Sequence, residues 1–449
     1  MKVQKVDIGL AKEPTGNRAG ASGSRPTGNK PMEKRSSSGW RVVAVLFVVL
    51  FFIFGAGYLT TGVFFPPLIK EFRWSRTRVS LLASILSAAQ GLSGPVAGLL
   101  LDRVPARFVM AVGAALAGCA MILAGCAHSL GPLLIAYLML GVGLSASTLI
   151  PGSLVVASWF VEGRGLAMGI AMAGTTVGAM TMTNVASYVV LNAGWRAGYL
   201  VLGVPMLAVI VPLILFGVPS APRSERVSGA HAATGPSSTE TSGLEMKDAI
   251  RSRSFRMLML LQFCFGMVAG AVVFHLVIYL VGLGYPAATA ALILSVMFGL
   301  NALGKLSLGL IADRLTPRVA CTINYLITGL GLLFLIEASH PGALVIFVLT
   351  FGPTFAASLV LIPMITVNSL GMRCYGSVTG WLSLASTLAV AIGPLIAGRS
   401  FDVLRSYTPA LLLFVVVCVI ASASAFSCLP LEVELARVVH TAEAPLSIK

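Results

Sequence analysis

Charge is what this sequence has least of. Only 10% of its 449 residues are charged, and just 16 are Asp or Glu, whereas soluble globular domains carry about a quarter. An ordinary water-soluble fold is thereby excluded. The seven cysteines form no Cys-x-x-Cys pair and fall mainly inside apolar runs, so neither a disulfide framework nor a zinc site is expected. No nucleophile with its base, no metal cluster and no phosphate-binding loop stands out. An enzyme is therefore the weakest reading, and no cofactor or metal is called for. The net charge of +15 could suit a nucleic-acid partner, but the cations lie mostly in tails and short loops, so no nucleic acid is expected.

What is present is apolar length: 57% of residues are hydrophobic. Runs long enough to cross a bilayer, at roughly 20 residues each, lie near 40–65, 79–101, 108–127, 131–158, 165–191 and 197–218. Six more lie near 257–283, 288–311, 319–338, 342–366, 376–397 and 409–429. The expected fold is an all-α membrane protein of twelve transmembrane helices in two six-helix bundles. Residues 1–39 read as a disordered cytoplasmic tail, 40–218 as the N-terminal bundle, 219–256 as a cytoplasmic linker, 257–429 as the C-terminal bundle and 430–449 as a cytoplasmic tail. Twelve crossings put both termini on one side, and that side collects 23 of the 31 Lys and Arg residues. The positive-inside rule makes it cytoplasmic, in the plasma or inner membrane.

The halves repeat. Gly98-x-x-x-Asp102-Arg103-x-x-x-Arg107 recurs as Gly309-x-x-x-Asp313-Arg314-x-x-x-Arg318, every residue shifted by 211, and Gly165 and Gly169 fall on Gly376 and Gly380 at the same offset. Two parallel repeats of six helices are the signature of a transporter whose substrate site lies at the midplane between rocking halves. The four glycines suit close helix packing.

Gly98 to Arg107 and its copy resemble the loop motif of the major facilitator superfamily, with Pro105 and Thr316 where that loop usually has glycine. The resemblance implies that Asp102, Arg103, Arg107, Asp313, Arg314 and Arg318 form a conformational latch, each Asp pairing with cations and helix N-termini at the cytoplasmic face. Gly62-Val63-Phe64-Phe65-Pro66-Pro67 leading into Trp74-Ser75-Arg76, Trp159-Phe160 before Arg164-Gly165, Gly194-Trp195-Arg196 and His275-Leu276-Val277 resemble the monocarboxylate porters and oxalate/formate antiporters of that superfamily.

One charge stands where none should. Lys305 is the exception deep inside an apolar span, eight residues before Asp313 and hence about 12 Å along a helix from the boundary. An ionisable group there costs about 2.5 to 3.5 kcal/mol and is a functional candidate by default. Without an acidic partner in the spans, a substrate carboxylate would supply its counter-charge; the alternative is a neutral Lys hydrogen-bonded to a backbone carbonyl. Asn301, four residues earlier on the same helix face, could share that carboxylate. In animal monocarboxylate transporters an Asp and an Arg stand at the corresponding places and are implicated in proton coupling; here the acid is missing. Those relatives also have a Lys in helix 1, and the oxalate/formate antiporter one in helix 11, neither with a counterpart here. One cation suits one carboxylate. His275, with an ordinary pKa close to ambient pH, and Tyr58 are the next candidates for substrate contact.

The leading expectation is a secondary transporter of a small monocarboxylate by alternating access, as proton symport or anion exchange, with the carboxylate, protons and the lipid bilayer as partners and a monomeric carrier. Efflux of drugs or metabolites by proton antiport, and a membrane receptor that binds without moving its ligand, are the alternatives.

Overall fold

The computed structural model describes residues 33–74, 76–219 and 243–443. Within them the chain is almost wholly helical, as it must be where backbone N–H and C=O groups have no water to pair with. The crossing helices are α1 Gly39–Phe72, α2 Arg76–Arg103, α3 Ala106–Gly125, α4 Leu130–Trp159, then the stretch Arg164–Gly217, then α7 Arg253–Gly282, α8 Ala287–Arg314, α9 Pro317–Ile336, α10 Pro341–Leu370, α11 Tyr375–Leu404 and α12 Thr408–Phe426.

Arg164–Gly217 spans 54 residues, about 80 Å if straight against a hydrocarbon core of about 30 Å. Gly194, at φ 84° and ψ 166°, breaks it in a region open essentially only to glycine. The pieces are α5 (164–193) and α6 (195–217), which makes twelve crossings. Inside α4, Pro151 lacks an N–H and crowds the preceding turn, and the helix breaks at Thr148, φ −114° and ψ −107°.

The repeat is written in the backbone as well as in the motif. Left-handed residues end α1 at Arg73 and α7 at Gly284, and follow α5 at Gly194 and α11 at Arg405; both pairs are offset by 211 although the residue types differ. A continuous apolar core runs through both bundles, while large side chains such as Phe216, Leu191 and Leu395 are exposed on the outside, as a lipid-facing surface requires.

Two antiparallel helix pairs join the bundles, α2 with α11 and α5 with α8. Their register is the same. Gly98 meets Gly376 and Gly94 meets Gly380 in the first pair; Gly309 meets Gly165 and the backbone of Lys305 meets Gly169 in the second. A Cβ at Gly98, Gly165, Gly169, Gly309, Gly376 or Gly380 would overlap a backbone carbonyl oxygen of the facing helix, so glycine is required for this approach. At the end carrying Asp102 and Asp313, here the motif end, Leu101, Val109, Ile150, Leu154 and Ala157 of one half form an apolar cluster with Val367 and Tyr375 of the other. The gap between bundles is shut there.

Three expected boundaries change. The first helix starts at Glu33, inside the expected tail; residues 1–32 lie outside the described residues. Of the expected linker, 220–242 lie outside them too, but 243–256 are folded. Leu244 N–H donates to Leu370 O at 3.1 Å, a short helix forms at Met246–Arg251, and Arg373 pairs with Glu245 at 2.6 Å. Within the expected C-terminal tail, Leu431–Glu443 is a helix. Its Glu434, only 2% exposed, accepts from the Ser254 backbone N–H at 2.9 Å and hydroxyl at 2.6 Å, capping the start of α7. Residues 444–449 lie outside the described residues.

Candidate functional site

Lys305 and Asn301 are each 1% exposed and face α5 of the other bundle. The Lys305 Nζ donates to Thr176 Oγ1 at 2.8 Å, Thr175 Oγ1 at 2.9 Å and Met172 O at 3.2 Å. The two hydroxyls have other acceptors within reach of their own protons, Met172 O at 2.7 Å for Thr175 and Asn301 Oδ1 at 3.3 Å for Thr176, which leaves their lone pairs open to Nζ. The three N–H bonds of an ammonium match these three acceptors one to one. All three partners are uncharged oxygens, so the cation is hydrogen-bonded but not neutralised.

Asn301 is half satisfied. Its Oδ1 accepts from Thr176, while its Nδ2 is buried without a partner. A buried donor left unpaired costs about 1 to 3 kcal/mol, and what it lacks is an acceptor. Four residues apart on α8, an ammonium and an idle amide N–H thus lie within about 6 Å along the helix axis. Both hydrogen-bonding groups suit a carboxylate, one oxygen to each.

The threonines that hold Lys305 are not among the sequence-derived candidates. A signal exists, because Gly174-Thr175-Thr176-Val177-Gly178 puts two adjacent hydroxyls in α5, and the shared antiparallel register sets that turn near Lys305. Hydroxyls are so common in membrane helices that the pair alone carries little weight.

The structure does not bring His275 or Tyr58 to Lys305. His275 stays within the C-terminal bundle, where Nε2 lies 3.0 Å from Pro394 O and Nδ1 3.3 Å from the Tyr407 hydroxyl, beside a small apolar pocket lined by Val272, Leu335 and Phe414. Tyr58 sits on a π-helical turn, Gly55–Leu59, stacks on Phe54 and meets the Ser87 hydroxyl at 3.5 Å, all within the N-terminal bundle.

At the motif end the two aspartates cross over. Asp102, ending α2, accepts from the Gly376 and Ser377 backbone N–H groups at 2.8 and 2.9 Å and from the Ser377 hydroxyl. Asp313, ending α8, accepts from Gly165 and Leu166 N–H at 2.6 and 2.9 Å. Each carboxylate therefore caps the opposite bundle's helix, where unpaired N–H groups and the helix dipole both favour an anion. Arg103 and Arg314 are exposed, the Arg107 guanidinium lies 4.6 Å from the Phe108 ring centre, and the Arg318 carbonyl accepts from Thr322 at 2.8 Å. The thiol of Cys374, just before α11, is held against Leu244 O at 3.2 Å; burial pushes its pKa up to about 11, and the neighbouring Asp102 charge adds to the rise.

No group of three or more His, Cys, Asp or Glu that could hold a metal occurs among the described residues. The site offers hydrogen-bonding groups on a seam between two bundles. A family model described as Major Facilitator Superfamily matches residues 46–394. The chain is 26% identical over 396 residues to monocarboxylate transporter 2 of Mus musculus, covering 84% of this chain and 81% of that one. It is 29% identical over 380 residues to monocarboxylate transporter 3 of Rattus norvegicus, covering 82% and 75%. Among solved structures it resembles the transporter FucP in the outward conformation, with a TM-score of 0.68 at 16% identity over 86% of this chain and 98% of that one. The human organic anion transporter MFSD10 gives 0.69 at 16% identity over 86% and 99%.

Proposed function

The chain belongs to the major facilitator superfamily of multi-pass membrane transporters, and on that premise we propose that it is a secondary transporter of a small monocarboxylate. Cargo passes through the gap between the bundles, with Lys305 and Asn301 as its anchor. One observation carries the reading: a buried ammonium held only by neutral oxygens, with an unpartnered amide N–H on the same helix face. A carboxylate supplies both missing elements, charge and acceptor. The similarity to monocarboxylate transporters 2 and 3 supports the same substrate class. With one cation in the site, the substrate carries one carboxylate.

The motif end faces the cytoplasm in this reading, because the side holding both termini and the motif loops carries most of the Lys and Arg. The Asp102 and Asp313 caps are then the cytoplasmic latch, made in the conformation described here and broken when the bundles rock. Gly165, Gly169, Gly376 and Gly380 let the facing backbones come close enough for those caps to form. Both termini lie in the cytoplasm and the membrane is the plasma or inner membrane.

Proteoliposome counterflow with acetate, lactate and benzoate tests the reading. At least one of them should exchange through the wild-type protein, and Lys305→Gln should lower that exchange at least about tenfold, since an interaction with a charged group is worth about 1.5 to 3 kcal/mol. Undiminished exchange in Lys305→Gln would remove the anchor, and failure of all three probes would remove the substrate class.

A further inference from the structure

Lys305 belongs to the C-terminal bundle, yet every oxygen that holds its ammonium belongs to α5 of the N-terminal bundle. The grip therefore exists only while the α5–α8 gap is shut at the motif end. Below it, toward Asp313, Gly169 and Gly165 bring the two backbones into close approach. The Thr176–Asn301 hydrogen bond lies one turn farther from the motif end than the Lys305 contacts. When the bundles rock and the motif end opens, α5 moves away and Lys305 loses all three acceptors together, just as the gap becomes wide enough for a solute.

Thr175 and Thr176 suit this task by geometry. Each has another oxygen in reach of its single proton, so its lone pairs are open to Nζ. Two hydroxyl oxygens and one carbonyl oxygen in that arrangement imitate the acceptors of a carboxylate, without its charge.

Resting on the reading of Lys305 as the substrate anchor, we propose that Thr175 and Thr176, with the Met172 carbonyl, are a built-in surrogate for the substrate. As the motif end closes, their oxygens take over the ammonium and release the carboxylate toward the far side. In the empty carrier they keep the cation satisfied while it is buried, so that the bundles can rock without cargo. That step separates net transport from obligatory exchange: a carrier whose lone buried cation had no acceptors when empty would close only around an anion.

The test compares two fluxes in the same proteoliposomes, using whichever of acetate, lactate and benzoate the wild-type protein carries. Net flux into empty vesicles requires the empty carrier to return, whereas exchange against internal unlabelled substrate does not. In Thr175→Val combined with Thr176→Val, the ratio of exchange to net flux should rise about tenfold or more, because two hydrogen bonds to a charged group are lost only in the empty closed form. The half-saturating concentration on the far side should fall as well. Thr175→Ser with Thr176→Ser keeps the hydroxyls and should keep the wild-type ratio. An unchanged ratio in the valine pair, loss of both fluxes together, or a shifted ratio in the serine pair overturns the proposal. None of these results touches the anchor itself, which stands or falls with Lys305→Gln.

Discussion

In the proposed reading a single lysine carries the chemistry, because of where it is held. In water an ammonium has no need of Thr175, Thr176 and Met172; between two bundles it has nothing else, and three neutral acceptors satisfy its hydrogen bonds without cancelling its charge. Asn301 adds a donor that the protein leaves idle. Replacing it with Leu removes an unpaired buried donor and also the acceptor of the Thr176 hydroxyl, two opposed effects on folding, while the half-saturating concentration for the carboxylate should rise about tenfold in transport assays. An unchanged value would take Asn301 out of the site. Lys305 is legible in the sequence because one charge interrupts an otherwise uncharged span. His275 and Tyr58 are polar residues of equal visibility, but which way their helix faces turn is decided by packing, and packing turns both toward partners inside their own bundles.

Helix ends, more than helix middles, set the conformation. Each of the two motif aspartates caps a helix of the other bundle, and a cap of this kind is worth about 0.5 to 2 kcal/mol. Cys374 lies beside one of them and reports on it, since burial and the Asp102 charge hold its pKa near 11 and the thiolate is what reacts. In a background lacking the exposed Cys119 and Cys126, maleimide labelling of Cys374 at pH 8 should be slow. It should quicken about tenfold or more in Asp313→Asn, which opens the same gap and leaves the Asp102 charge in place, as the pKa falls toward its ordinary value. Equal labelling in the two proteins would mean that Asp313 does not hold the motif end shut. The motif itself is plain in the sequence, and so is the glycine set that lets the helices meet. The folding of 243–256 is not, because a segment rich in polar residues offers little apolar surface of its own; it is ordered by docking on the α10–α11 turn through Leu244 and Arg373. The same holds for Leu431–Glu443, whose anchor is one buried carboxylate on the first turn of α7.

At the scale of the molecule, two near-equal halves meet along two near-equal seams, and in the proposed reading the difference between the seams is what binds cargo. Position for position, Gly94 on the α2–α11 seam corresponds to Lys305 on the α5–α8 seam, and Tyr375 opening α11 corresponds to Arg164 opening α5. The symmetry sets the gap and its register, and the departure from symmetry puts one cation into it. Twelve crossings, the repeat and the odd lysine can all be read from the chain, because hydropathy and spacing survive in one dimension. The threonine surrogate could not be, since it exists only where two helices from opposite halves lie side by side. Calorimetry on the purified protein tests the central claim most directly, by titrating the transported carboxylate and then its uncharged amide. The anchor predicts binding of the carboxylate, at least about tenfold weaker binding of the amide, and loss of that preference in Lys305→Gln. An amide that binds as tightly as the acid, or a preference that survives in Lys305→Gln, would contradict it.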